Sequence, residues 1–96
     1  MKLLHITVNF EYAEQIVAIL DRHEVSNAAW IPMVNGKDTL GKHTGTQVHP
    51  GNVTIFQARV DDDRVDRIMD SLSEFRHQKP AHEHLQALVL PVERAL

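Results

Sequence analysis

Chemistry in this 96-residue chain is concentrated in two stretches. The first, Asn35–Asn52 (NGKDTLGKHTGTQVHPGN), holds all four glycines, two lysines, two histidines, three threonines and a proline. Backbone N–H groups near Gly36, Gly41 and Gly45, with Lys37 and Lys42 beside them, are the kind of donors that cradle phosphate oxygens. His43, Thr44, Thr46 and His49 add side-chain donors and acceptors. NGKDTLGK is not a Walker loop, because it lacks that glycine spacing and the strand-loop-helix context. The second stretch, RHQKPAHEH, carries Arg76, His77, Lys79, His82 and His84. Imidazole is a good ligand for zinc, copper or nickel, and on an extended backbone His82 and His84, two apart, point the same way. HPGN at His49–Asn52 has turn chemistry, proline fixing φ and glycine allowing a positive one, so it aims the chain back into regular structure. Catalysis finds little here: there is no cysteine, the serines at Ser26, Ser71 and Ser73 have no nucleophile context, and an enzyme is not expected.

The elements that must hold these stretches follow from hydropathy periods. Leu3–Phe10 alternates and reads as a strand. From about Glu11 to His23 the apolar positions Ala13, Ile16, Val17 and Leu20 make one helical stripe, with Asn9 as its expected cap. Asn27–Val34 is a second strand, placed at a sheet edge or bulge by Pro32, which cannot donate a ladder hydrogen bond. Val53–Val60 is a third. Val65, Ile68, Met69, Leu72 and Phe75 form a second helical stripe, with Asp61–Asp63 expected in its cap and first turn. Leu85–Val92 is a fourth strand, apolar on both faces.

The order β-α-β-β-α-β predicts one α+β domain over residues 1–96 with a long loop at about 35–52. The compact solution is a ferredoxin-like four-stranded antiparallel sheet with both helices on one face. Right-handed crossovers put the first and third strands in the centre. The other face of the sheet then carries Leu3, Val53 and Ile55 among His5, Thr7, Gln57 and Arg59, so a second copy of the chain is its expected cover. A net charge of −3 without a basic run argues against nucleic acid, and no stretch has membrane-spanning length. The lack of cysteine suits the cytoplasm.

On Pro32–Asn52 and on ALVLPVE at Ala87–Glu93, within this element order, the chain resembles the PII-like superfamily, which includes PII signal proteins and CutA-like divalent-cation tolerance proteins. The resemblance implies a homotrimer with inward-packed sheets. It also implies an effector such as an adenine nucleotide in the inter-subunit clefts, and a loop that signals to a regulated transporter or enzyme. The implied binding residues are Gly36, Lys37, Gly41, Lys42, His43, Thr44, Gly45, Thr46, His49, Arg76 and Lys79. The CutA-like alternative implies a divalent transition metal on His82 and His84 with the loop histidines. Two features depart from PII proteins. RHQKPAHEH contains no glycine, and the sole tyrosine, Tyr12, lies on the first helix, which excludes uridylylation on the loop.

Overall fold

The structure, a computed structural model, describes residues 1–38, 41–43 and 52–96. Strand β1 (Lys2–Asn9) is followed by a 3₁₀ turn and α1 (Ala13–Arg22). Strand β2 (Asn27–Val34) leads into two short strands, β3 (Gly36–Asp38) and β4 (Gly41–His43). Strand β5 (Val53–Val60), helix α2 (Val65–His77) and β6 (Gln86–Pro91) complete the chain. The main sheet has the order β2-β5-β1-β6 and is antiparallel throughout, so the first and third long strands are central, as the crossover rule requires. The periods expected from the sequence are realised. Leu4, Ile6 and Val8 of β1 and Phe56, Ala58 and Val60 of β5 are buried against Ile16, Ile19 and Leu20 of α1 and Ile68, Leu72 and Phe75 of α2.

Register makes the two faces explicit. Trp30, Phe56, Ile6 and Ala87 form one row on the helix-covered side, with the Trp30 and Phe56 rings 5.5 Å apart. On the other side Ala29, Gln57, His5 and Leu88 form a row, and Asn27, Arg59, Leu3 and Leu90 the next. That second side leaves Ile31 54%, Leu88 59% and Leu90 42% exposed. Pro32 acts as expected: β2 is an edge strand whose pairing with β5 shifts between Ile31 and Val34, and the buried Thr54 hydroxyl donates to the Pro32 carbonyl across the irregularity at 2.6 Å. Among the described residues no helix is long and apolar enough to cross a membrane.

Three local expectations are corrected. Asn9 makes no side-chain cap, because a 3₁₀ turn over Phe10–Tyr12 comes between it and α1. Asp61–Asp63 do not cap α2 directly. Asp62 and Asp63 occupy a 3₁₀ turn, Asp62–Arg64, ahead of the helix, with no side-chain cap bond, and Asp62 binds the amino group of Met1 at 2.6 Å. Finally, the segment expected as loop from Asn35 contains a paired ribbon: Gly36 is opposite His43, Lys37 opposite Lys42 and Asp38 opposite Gly41.

Candidate functional site

The ribbon rises from the end of the sheet where β2 leaves and β5 enters. Its root is close-packed. A Cβ built on Gly36 would come within 3.1 Å of Val53 Cγ2, which leaves room for hydrogen alone and explains glycine there without any special backbone angle. Across the root the Asn52 amide donates to Asn35 Oδ1 at 2.8 Å, and the Asn52 carbonyl accepts the Phe10 N–H at 2.8 Å. The ribbon is thereby tied to the end of β1.

The α2–β6 connection closes on the same place. Instead of an extended RHQKPAHEH, the chain makes a 3₁₀ turn over Pro80–His82, started by proline with its fixed φ. The turn is pinned by its two histidines. His82 is 3% exposed. Its ring stacks on Phe75 at 3.8 Å between centroids and 7° between planes, with Tyr12 edge-on at 4.7 Å. Nδ1 donates to the Phe75 carbonyl at 2.7 Å, while the buried Nε2 has no hydrogen-bond partner among the described residues. His84 accepts the Asn9 N–H on Nε2 at 2.8 Å and so carries its proton on Nδ1, which donates to the Ala81 carbonyl at 2.9 Å. Both rings pack on Tyr12, His84 with its centroid 5.7 Å away, and the ring nitrogens that bond do so to backbone groups. Each serves the main chain, and among the described residues no group of three His, Asp or Glu is placed to hold a metal ion.

Of the expected binding residues, Gly36 and Lys37 lie on β3, and Gly41, Lys42 and His43 on β4, within one ribbon whose register puts the two lysine positions opposite each other. Lys79 precedes the Pro80 turn at the same end, its Nζ 5.9 Å from the Tyr12 ring centroid, within reach of a cation–π attraction. Arg76 is not brought to the ribbon. It lines a groove of 220 Å³ between α2 and β6 with Met69, Leu72, Ser73, Leu85 and Ala87, and its Nε donates to the Glu83 carbonyl at 3.3 Å. Thr44, Gly45, Thr46 and His49 lie outside the described residues, as does the turn at His49–Gly51. Sequence reasoning missed the linking role of Asn9, Asn35 and Asn52. The available signal was the pair Asn35 and Asn52 flanking the stretch, whose amides bond each other; Asn9 and Asn52 otherwise link through main-chain groups, which residue type does not mark.

A ferredoxin-like domain with a ribbon inserted between its second and third sheet strands, rooted against the α2–β6 connection, has the PII-like fold. Solved structures agree. CPII from Thiomonas intermedia, a nitrogen regulatory PII-like protein bound to ADP, AMP and bicarbonate, superposes with a TM-score of 0.75 at 18% identity, covering 93% of this chain and 88% of its own. A putative PII-like signaling protein from Thermus thermophilus gives 0.65 at 17% identity, covering 92% and 82%. A DUF3240 family protein from Shewanella baltica gives 0.74 at 14% identity, covering 98% and 91%. At such identities the likeness is one of fold. The sequence matches no protein-family model and no curated protein.

Proposed function

We propose that this chain is a PII-like regulatory protein. As a cytoplasmic homotrimer it binds an adenine nucleotide such as ADP or AMP between subunits at the root of the β3–β4 ribbon. It reports occupancy to a regulated transporter or enzyme through the segment at 35–52. The observation that carries this is the ribbon itself. Its register sets the Lys37 and Lys42 positions opposite each other in a glycine-containing ribbon, and lysine with glycine backbone N–H groups is a composition that suits an anionic ligand. Gly36 lets the root of the ribbon seat against Val53, and Gly41 has no side chain to keep a ligand from the backbone.

Two further features support the reading. A structure of the same fold, CPII, is bound to ADP, AMP and bicarbonate. The apolar open face around Leu88, Leu90 and Ile31 is the kind of surface that a further copy covers. A ligand shifts the ribbon only so far as it binds one posture better than another.

Titration calorimetry of the purified chain with ADP and AMP, paired with limited proteolysis across 35–52, tests this. Expected are saturable binding, a nucleotide-dependent change in cleavage, and loss of both in Lys37→Ala. No binding together with unchanged cleavage refutes it.

A further inference from the structure

At the end of the sheet opposite the ribbon, α1 stops and α2 starts, and their junction forms a cationic cleft. Helix α1 ends with Glu24 at φ 57°, a left-handed conformation usually left to glycine. It is held by Glu24 N–H to the Asp21 carbonyl at 2.9 Å and Val25 N–H to the Leu20 carbonyl at 3.0 Å. Arg64 reaches across from the turn before α2 and donates Nη1 to the His23 carbonyl at 2.9 Å, with Nη2 3.9 Å from the Glu24 carboxylate. The His23 ring is itself set by a 2.7 Å hydrogen bond between Nε2 and the Ser71 hydroxyl. These groups wall a cleft of 180 Å³ lined by Arg22, His23, Glu24, Arg64 and Arg67.

Three guanidiniums and an imidazole thus converge with one carboxylate, in a chain whose overall charge is −3. The carboxylate belongs to Arg64. Arg22 and Arg67 make no hydrogen bond or ion pair among the described residues. Guanidinium forks match tetrahedral oxyanions better than any other side chain, and the volume falls below the roughly 300 Å³ at which pockets for drug-sized ligands begin. We infer that this cleft binds a small phosphate-type oxyanion, either free phosphate or the phosphate group of a small metabolite, with Arg22 and Arg67 as the ligating residues and Arg64 as the brace that shapes the cleft. The site is separate from the ribbon and independent of nucleotide binding there.

The test uses the purified chain with inorganic phosphate, read by ³¹P line broadening and calorimetry against chloride at matched ionic strength. Arg22→Ala/Arg67→Ala is the informative variant, since neither side chain holds the fold together, and circular dichroism checks that it remains folded. The expected dissociation constant is of order 1 mM, weakened about tenfold or more in that variant and unchanged in Lys37→Ala. An arm with glycerol phosphate identifies the source: tighter binding than phosphate points to a phosphorylated metabolite, equal or weaker binding to the free ion, both lost in the double variant. Phosphate no better than chloride, a double variant that binds like the parent, or equal loss in Lys37→Ala overturns the assignment.

Discussion

Gly36→Ala tests how the ribbon is seated. The added methyl would lie 3.1 Å from Val53 Cγ2 and 3.4 Å from Cγ1, some 0.5 Å inside the comfortable carbon–carbon distance. Val53 is 5% exposed and opposes Asn9 and Val34 in register, and a β-branched side chain has little rotamer freedom with which to retreat. Overpacking of this kind costs about 1–2 kcal/mol, against about 0.4–1 kcal/mol returned by restricting the unfolded chain. Gly36→Ala should therefore lose about 0.5–1 kcal/mol. In a Val53→Ala background the clash is gone and only the unfolded-state effect remains, so the same change should stabilise by about 0.5 kcal/mol. The coupling of roughly 1–1.5 kcal/mol is read from urea unfolding of the four proteins at one concentration. Effects that add within about 0.3 kcal/mol would show that Val53 does not explain the glycine.

Four further outcomes follow from the same geometry. His84→Ala should cost about 1–3 kcal/mol in urea unfolding, because it strands the Asn9 N–H; a neutral result would detach the α2–β6 connection from β1. Glu24→Val should lose about 1–2 kcal/mol, a β-branched residue at φ 57°, while Glu24→Gly stays within about 0.5 kcal/mol of the parent, thermal melts separating the two. The hydrogen bond from the Met1 amino group, helped by the charges of that group and of Lys2, holds the Asp62 carboxyl below its ordinary 3.8. The folded value being depressed, its contribution is present above the unfolded value and is lost as pH falls through the folded one. Asp62→Asn or acetylation of Met1 should accordingly flatten the fall in stability below about pH 4 in acid titrations followed by circular dichroism. Leu88→Glu/Leu90→Glu should leave a folded monomer by light scattering where the parent is a trimer, both side chains lying on the exposed sheet face; a parent that is monomeric refutes the proposed assembly.

The fold was largely legible because its signals are periodic. Alternation in β1 and β5 and the stripes of α1 and α2 depend only on which residues shun water, and Pro32 marks its own edge strand by lacking a donor. At the ribbon the sequence marks candidate residues by type, where glycine and lysine cluster, and the structure adds their register. At RHQKPAHEH the local geometry was not legible. The two-residue spacing of His82 and His84 implies a shared direction on an extended backbone, whereas the chain makes a 3₁₀ turn over Pro80–His82 and continues as a turn through His84.

By itself the sequence determined the strand and helix periods, the chirality-limited strand order and the double apolarity of β6, all set by local sterics and hydrophobic patterning. Tertiary structure decided the rest. The pairing of Gly36–Asp38 with Gly41–His43, the capture of the Asn9 N–H by His84 and the gathering of Arg22, Arg64 and Arg67 into one cleft join residues distant in the chain or on different elements. Such pairings are selected by which partners the packed sheet and helices bring within hydrogen-bond reach, and spacing along the chain does not encode that.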